Sequence, residues 1–328
     1  MNIDAVSQIV QRIVDSKRVV VVSHTNPDAD AYGSSCGLAL GLIALGKDVV
    51  VHNDDGFVPR YGAIPGSEKV RLGAWNVLEN DDTLIVCDCG GAERVGDALV
   101  PALKSAPFVI NIDHHTSNSS FGNLNYVVEG ISSTSELVYN LLCGLESFCN
   151  RSDLITSDVA NCLLAGIMGD TGFFKYSSTS SNTFLVAHDL LKRGAQPALL
   201  AQDLFGNQSL ARVRLQASAI SDIVVYPNGF AEVVVTQEML QRFGAEVIDA
   251  EGLAEEARDI EGVKVSALYK QDVDLWRVSL RSRQGVVDCS QIAQSLGGGG
   301  HKAAAAFRWR GTFEDLRASL RSAIEEAL

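Results

Sequence analysis

Acidic and imidazole side chains are grouped in four short segments of this sequence. Each group comes directly after a stretch that is rich in apolar residues. The residues are His24, Asp28 and Asp30 in the first segment, Asp88 in the second, Asp113, His114 and His115 in the third, and Asp170 in the fourth. Carboxylates that converge in a partly dry site repel each other and need a cation to neutralise them. A set of carboxylates and imidazoles without thiolates suits Mn²⁺ best, with Mg²⁺, Co²⁺ or Zn²⁺ as alternatives.

The number of these side chains indicates more than one ion. Six or seven ligands are too many for one catalytic ion that keeps an open position. They suit two ions roughly 3.5–4 Å apart that share a bridging carboxylate, an arrangement used for phosphoester hydrolysis. For any single segment, turn or helix-capping chemistry is the simpler explanation of an aspartate. The four segments together favour a metal site.

Strand and helix patterns alternate in the first part of the chain, over residues 1–195. The buried-strand patterns are RVVVVSH, KDVVVHN, DTLIVCDCG and PFVINIDHH. Helical spacing is found in IDAVSQIVQRIVDS, AYGSSCGLALGLIALG, SSTSELVYNLLCGL, TSDVANCLLAGIMGD and SSNTFLVAHDLLKRG. This alternation predicts an α/β fold with an open parallel sheet. Ligands bind outside the carboxyl ends of the strands in such sheets, so we expect the four segments to converge on one edge.

The pattern changes to hairpins after about residue 222. The segment DIVVYPNGFAEVVVTQ predicts a hairpin that turns at Asn228-Gly229, and GVKVSALYKQDVDLWRVSLRSR predicts a second that turns near Asp272. We therefore expect a smaller α+β domain over residues 223–328. Residues 196–222 are expected to form a linker that contains a helix, and the two domains are expected to enclose a cleft.

A second candidate site lies in the segment LGGGGHKAAAAF, which contains Gly298, Gly299 and Gly300. Glycines let the backbone approach a ligand and expose its N–H groups, and a helix predicted to begin near His301 would add its positive end. A flexible loop before an alanine-rich helix is an equal alternative on the glycines alone. The neighbouring residues that could hold a terminal phosphate are Arg281 and Arg283 on a predicted strand, and Arg258, a weaker candidate, on a helical stretch.

Composition limits the classes of function. The formal net charge of the 328 residues is -13, whereas general affinity for long nucleic acid needs a basic surface. Any nucleic-acid substrate should therefore be short. The N-terminal residues lack the pattern of a signal peptide, and no apolar run reaches bilayer length, so we expect a cytoplasmic protein without membrane contact. The seven cysteines form no C-x-x-C pair, which argues against a zinc ribbon or a disulfide framework.

The polar segments also resemble known motifs. SHTNPDADAYGSS, VCDCG, NIDHHTSN and GIMGDTGFF resemble, in this order, four motifs of the DHH phosphoesterase superfamily. RSRQGVVDCSQIAQSLGGGGHKAAAAF resembles the DHHA1 domain that follows them in that superfamily. Lengths and spacing are similar to those of the NrnA-type nanoRNase and pAp phosphatase subgroup, from near residue 10 to near residue 325. One departure is Ala29, where the family usually has glycine, and we expect it to have little effect.

The resemblance implies a role for each residue. It implies two Mn²⁺ ions, one bound by His24, Asp28 and Asp88 and the other by Asp30, Asp88, His114 and Asp170. His115 would face the scissile phosphate, and Asp113 would orient a histidine. Arg281, Ser282, the glycines and His301 would bind the other phosphate of the substrate.

The resemblance also implies substrates. These are RNA or DNA oligomers a few nucleotides long, degraded from the 5′ end, linear dinucleotides such as pApA, and 3′-phosphoadenosine 5′-phosphate (pAp). It implies a possible homodimer as well. The alternatives are a manganese-dependent pyrophosphatase, which would need a different second domain rich in lysine and arginine, and a non-catalytic dinucleotide sensor, which degenerate ligands would favour. A processive single-strand exonuclease would need a longer chain.

Overall fold

The computed structural model describes residues 3–75, 78–283 and 285–328. The chain divides into two compact units, a first unit of Met1–Asn207 and a second unit of Gln208–Leu328. The segment that the sequence predicts as a linker, 196–222, consists largely of helical turns. The domain boundaries themselves stay a prediction.

One parallel sheet forms the centre of the first unit. Within the described residues it has six strands in the order β3-β2-β1-β4-β5-β6, with all neighbours parallel. The strands are β1 (Arg18–Val22), β2 (Asp48–Asn53), β3 (Arg71–Leu72), β4 (Thr83–Cys87), β5 (Val109–Asp113) and β6 (Leu124–Val127). The predicted α/β class is confirmed, and β3 and β6 extend the sheet beyond the four strands that the sequence pattern marks.

The valine run of β1 explains its central place. Val19 and Val21 pack on one face of the sheet, and Val20 and Val22 pack on the other, all fully buried. Alternate residues of a strand point to opposite faces, so a strand that is apolar at every position fits between two covered faces. The strand therefore ends where the polar residues after Val22 begin.

Helices cover the sheet of the first unit. They are α1 (Ile3–Asp15), α2 (Ala29–Ala44), α3 (Val100–Ser105), α4 (Thr134–Phe148), α5 (Ser157–Asp170), α6 (Ser181–Lys192) and α7 (Pro197–Ala201). Within the described residues, side chains cap four of them at their N-termini: Asp28 caps α2, Ser133 caps α4, Thr156 caps α5 and Ser180 caps α6. Such caps satisfy backbone N–H groups that have no partner inside the helix, so these residues fix where each helix starts.

Glycines allow α2 and α5 to pack with their backbones close together. A Cβ atom added to Gly33 would lie 2.5 Å from the carbonyl oxygen of Cys162 and 2.8 Å from the backbone nitrogen of Gly166. A Cβ at Gly169 would lie 2.8 Å from the Cβ of Ala29. The methyl group of Ala29 therefore occupies space that Gly169 leaves open, which fits the small effect expected of this departure from the family.

The second unit contains a mixed sheet with helices. Within the described residues the strand order is β11-β12-β10-β9-β8-β7. The strands are β7 (Val224–Val225), β8 (Phe230–Val235), β9 (Val265–Gln271), β10 (Trp276–Ser282), β11 (Gly299–Gly300) and β12 (Ala304–Trp309). The helices are α8 (Leu210–Ser221), α9 (Gln237–Phe243), α10 (Leu253–Asp259), α11 (Cys289–Ser295) and α12 (Phe313–Ala327). Both predicted hairpins are present, as the antiparallel pairs β7–β8 and β9–β10, whereas β8 and β9 pair in parallel.

The helix predicted to begin near His301 is wrong. The alanine-rich segment forms β12, which pairs antiparallel with β10 along its whole length. A helix instead precedes the glycines: α11 ends at Ser295, and Gly297 follows in a left-handed conformation with φ 81°. Alanine has the highest helix propensity, but propensity is a weak preference, and pairing with β10 overrides it here.

Among the described residues, every helix falls short of the length and apolar character required to cross a bilayer.

The contact at Gly33 yields a test of the packing. Gly33→Ala should lower the free energy of unfolding by about 1–3 kcal/mol, because the added methyl meets backbone atoms that cannot move aside. Urea denaturation measures this change. Gly144→Ala in α4 is the matched control, since its methyl would lie 3.5 Å from Val6 Cγ1, an ordinary contact, and should leave the protein as stable or more so. Equal destabilisation by both variants would contradict the proposed close approach.

Candidate metal centre

The carboxyl ends of three neighbouring strands bring the predicted residues together. β4 lies between β1 and β5, and all three run in the same direction. His24 follows β1, Asp88 follows β4 directly, and Asp113 is the last residue of β5. This is the convergence on one edge of the sheet that the sequence predicts.

Two further carboxylates reach this edge from helices. Asp30 lies in the first turn of α2, and Asp170 is the last residue of α5. The close packing of α2 on α5 therefore brings their ends to the same place. Gly166 makes room for this, because a Cβ at that position would lie 2.6 Å from Asp30 Oδ1 and would also clash with Ser135 Oγ.

In the part of the chain that the structure describes, three groups of side chains have ligand atoms that, within each group, all lie within 4.8 Å of one another. The groups are His24, Asp28 and Asp88; Asp30, His114 and Asp170; and Asp88, His114 and His115. Asp88 belongs to two of them. His24 Nε2 lies 3.4 Å from Asp88 Oδ2, and His114 Nε2 lies 3.6 Å from Asp88 Oδ1. The Asp88 carboxylate thus has one oxygen toward His24 and the other toward His114.

Several ionisable side chains of this cluster are buried, so their charges are costly in free energy unless they are compensated. The exposed fraction is 0% for Asp30 and Asp113, 1% for Asp88 and 5% for His24. Buried charges are costly unless they are paired or coordinate a metal. Burial and the charges of Asp88 and Asp170 accordingly raise the pKa of Asp30 well above its usual value. Burial, with the charge of Asp28 also contributing, raises the pKa of Asp170 to about 6.

The histidines respond in the opposite direction. Burial alone would lower the pKa of His24, but the hydrogen bond and charge of Asp88 outweigh it and raise the pKa to about 9. Burial would also lower the pKa of His114, but Asp170, 3.0 Å from its Nε2, outweighs burial and raises the pKa to about 11. Although burial favours its neutral form, Asp88 has a lowered pKa because of His24. The carboxylates therefore attract positive charge into the cluster.

This donor set fits divalent cations. Protonated imidazoles can neutralise the carboxylates only in part, whereas a divalent ion placed among them supplies two charges and accepts oxygen and nitrogen ligands directly. The thiols nearby are unsuited to compete, because burial raises the pKa of Cys87 well above its usual value and that of Cys89 to about 12.

His115 is oriented by a chain of hydrogen bonds. Its Nδ1 lies 2.6 Å from Asp113 Oδ1, and Asn118 Nδ2 donates to the other oxygen of Asp113 at 2.6 Å. Asn118 Nδ2 is also 2.8 Å from Asn111 Oδ1. The contact of Nδ1 with Asp113 fixes the orientation of the His115 ring. The predicted orienting function of Asp113 has this geometric basis.

The candidate residues of the second unit lie around the end of β10. Arg281 is opposite Ala304 in the strand pairing, and the backbone N–H of Ser282 donates to Ala303. The turn at His301 therefore adjoins Arg281 and Ser282. Gly299 and Gly300 pair with β12 as β11 rather than forming an open loop.

Several of these side chains already have partners. Arg281 Nε lies 2.6 Å from Glu255 Oε1, and Arg258 donates to Asp259 Oδ1 at 2.7 Å. Ser282 is buried, and its hydroxyl donates to the Val287 carbonyl oxygen at 2.7 Å. Arg281 remains partly exposed at the turn, whereas the Ser282 side chain stabilises the fold locally.

Sequence reasoning overlooked Thr134, Gly166 and Asn118. Thr134 begins α4, and its hydroxyl donates to Asp88 Oδ1 at 3.0 Å. A helix start is signalled by Ser133 with Glu136 three residues later, a pattern typical of N-terminal capping. That pattern locates the N-terminus of α4, but it does not show that this N-terminus lies against the metal-ligand cluster.

Comparisons with known proteins agree with this architecture. Residues 18–167 match the DHH family, N-terminal domain, and residues 231–328 match the DHHA1 domain. The bifunctional oligoribonuclease and PAP phosphatase NrnA of Thermus thermophilus is 32% identical over 295 residues, which cover 89% of this chain and 84% of that protein. The chain belongs to the DHH phosphoesterase family, and the resemblance stated from its motifs is confirmed.

Solved structures extend the comparison. An exopolyphosphatase-related protein from Bacteroides fragilis superposes with a TM-score of 0.90 at 27% identity, over 99% of this chain and 98% of that one. RecJ of Thermus thermophilus, solved in complex with Mn²⁺, shares the fold with a TM-score of 0.53 at 18% identity, over 98% of this chain and 54% of RecJ.

The donor set predicts that metal stabilises the folded protein. At a Mn²⁺ concentration 100 times the dissociation constant, the free energy of unfolding of metal-stripped protein should rise by about 2.7 kcal/mol. Differential scanning calorimetry detects this as a higher melting temperature. Asp170→Asn should lose most of the increase, and Asp81→Asn, which alters an exposed ion pair with Lys17, should retain it. An equal increase in both variants would show that Mn²⁺ acts elsewhere.

Proposed function

We propose that this protein is a two-metal phosphohydrolase that degrades very short oligonucleotides from the 5′ end. The proposal includes linear dinucleotides such as pApA and the dephosphorylation of pAp to AMP. Membership of the DHH phosphoesterase family and similarity to an oligoribonuclease and PAP phosphatase over most of both chains support it. The observation that carries it is the buried Asp88 carboxylate, whose two oxygens face different histidines within one acidic cluster.

Two metal ions, Mn²⁺ in the first place and Mg²⁺ or Co²⁺ as alternatives, would occupy this cluster. His24, Asp28 and Asp88 would hold one ion, and Asp30, His114 and Asp170 would hold the other together with Asp88. When bound, the ions would lower the pKa of the attacking water and offset negative charge on the phosphoryl oxygens. The choice of manganese rests on the mixed carboxylate and imidazole donors.

His115 and Asp113 have a separate part in the proposal. Asp113 fixes the ring of His115 through Nδ1, and in the proposal the imidazole held in this way donates a hydrogen bond to a phosphoryl oxygen when substrate binds. A donor held in advance at the place where charge develops lowers the barrier without reorganising during the reaction. Asn118 holds Asp113 in turn, and this keeps the imidazole in one orientation.

The second unit supplies a local cationic site in an acidic protein. Arg281 lies at the end of β10 beside the turn that contains His301, with Gly298, Gly299 and Gly300 preceding it. A planar guanidinium can bind a phosphate through two parallel hydrogen bonds. A few placed cations suit a short substrate, whereas the net charge of -13 disfavours long nucleic acid. The homodimer and the cytoplasmic location stay predictions.

A substrate panel tests this function. Metal-stripped protein with Mn²⁺ is given pApA, a 5′-labelled RNA 5-mer, a 24-mer, pAp and pyrophosphate, each with an EDTA control. We expect rapid turnover of pApA and the 5-mer, slow turnover of the 24-mer, and release of phosphate from pAp. Preference for pyrophosphate would favour the pyrophosphatase alternative, and tight binding of pApA without turnover would favour a sensor.

Asp88→Ala should abolish turnover and reduce the amount of bound metal, because both proposed ions lose a shared ligand. Turnover is measured with pApA, and bound manganese is measured by elemental analysis after gel filtration. Asp81→Ala is the control for removing a carboxylate at the surface. Near-native turnover by Asp88→Ala would rule out the two-ion site proposed here.

Arg281→Gln should raise KM for pApA by about tenfold or more with a smaller change in kcat, since loss of a charged hydrogen bond costs about 1.5–3 kcal/mol. Steady-state kinetics separates the two constants. Arg277→Gln is the matched control because Arg277 lies on the same strand, paired with Asp272. A fall in kcat alone, or the same effect in both variants, would argue against phosphate binding by Arg281.

A further inference from the structure

The first turn of α4 contacts two carboxylates of the metal centre at once. The backbone N–H of Thr134 donates to Asp30 Oδ2 at 2.7 Å, and the N–H of Ser135 donates to Asp30 Oδ1 at 2.9 Å. The hydroxyl of Thr134 donates to Asp88 Oδ1 at 3.0 Å. One residue therefore links Asp30 to Asp88, although these aspartates follow different strands.

These hydrogen bonds are shielded from water. Thr134, Ser135 and Asp30 have an exposed fraction of 0%, and Asp88 has 1%. In such surroundings a hydrogen bond to a carboxylate is stronger than in water, and an unmade one is costly. Water has no access to replace a donor that is lost.

The position of Thr134 is set by the helix and not by chance contact. Ser133 caps α4 through the backbone N–H of Glu136, and the first two N–H groups of the helix, which lack intrahelical partners, go to Asp30. The backbone of Thr134 is thus held by the Ser133 cap and by the hydrogen bond of its N–H to Asp30. Its hydroxyl has a single proton to donate, and the geometry directs that proton to Asp88.

We propose that Thr134 is a positioning residue of the two-metal site. Its backbone holds Asp30, its hydroxyl holds Asp88, and together they set the separation of the two carboxylates that face the ions. The inference rests on the proposed function and adds to it a residue that is not itself a ligand. It assigns to the hydroxyl the specific task of orienting the shared carboxylate.

Thr134 makes one contact through its backbone N–H and the other through its hydroxyl, so a substitution can remove the second and keep the first. Thr134→Val keeps the backbone N–H to Asp30 and the shape of the side chain but removes the donor to Asp88. Loss of a partner that orients a metal ligand typically weakens metal affinity by about 10- to 100-fold. Thr134→Ser restores the hydroxyl and should restore affinity to within about threefold of the natural chain, well below that loss.

Thr183 offers a matched control. It is also fully buried in the first unit, and its hydroxyl donates to Glu136 Oε2, likewise at 3.0 Å. Thr183→Val therefore removes a buried hydroxyl bonded to a carboxylate that is not a proposed metal ligand. It should lower the melting temperature without changing the affinity for Mn²⁺.

The experiment is calorimetric titration of Mn²⁺ into the metal-stripped full chain of each variant. Electron paramagnetic resonance of the loaded protein then reports whether neighbouring Mn²⁺ ions are coupled. We expect Thr134→Val to bind Mn²⁺ about 10- to 100-fold more weakly and to lose the signal of coupled ions, with Thr134→Ser and Thr183→Val close to the natural chain.

Three outcomes would overturn the inference. They are unchanged affinity in Thr134→Val, an equal loss in Thr134→Ser, and an equal loss in Thr183→Val. If Thr134→Val does not fold, by circular dichroism, Thr134→Ala and Thr134→Ser carry the same comparison. Failure of the natural chain to bind Mn²⁺ would instead overturn the metal site of the proposed function, so the two failures are distinguishable.

Discussion

The gathering of buried carboxylates at one edge of a parallel sheet is the constraint on which the first unit depends. Asp30 and Asp88 are almost fully removed from water, and each needs compensation from nearby donors or cations. The first N–H groups of α4 bind Asp30, and His24 and His114 lie on two sides of Asp88. A divalent ion would complete a balance that hydrogen bonds and imidazoles achieve only in part. The start of α4 lies beside these strand ends and supplies part of this compensation.

Small residues let the helices meet that requirement. Asp30 and Asp170 belong to α2 and α5, and they can approach one another only because Gly33 and Gly166 bring the two backbones together. Larger side chains in this contact would add buried apolar area but would separate the carboxylates. The glycines in GIMGD therefore serve the metal centre through packing, without contributing a functional group. Stability and site geometry are coupled at the same interface.

The sequence predicts the convergence of the polar segments because each follows a stretch whose burial can be seen in its composition. Val19–Val22 must be covered on both faces, and this determines where the strand ends and where His24 emerges. Thr134 is different. Its contacts with Asp30 and Asp88 join segments far apart in the chain, and no local pattern indicates which hydroxyl at a helix start will meet a carboxylate.

The second unit shows that a local sequence pattern can also indicate a structure or a role that the fold does not adopt. The alanine run after His301 has a local preference for helix, yet it forms β12 because β10 offers a strand to pair with. Ser282 has a residue type that suits phosphate binding, yet its hydroxyl is used by the carbonyl group of Val287. Composition and spacing identify residues that can do chemistry, but prior partners in the fold decide which of them remain able to do it.

The pairing of Arg281 with Glu255 has a consequence for specificity. A phosphate bound by Arg281, as proposed, would compete with or share the guanidinium with a carboxylate 2.6 Å from its Nε, so binding would gain less than a free arginine would provide. In a chain with a net charge of -13, such a local contact would admit the proposed short phosphate-bearing substrate without attracting long polyanions.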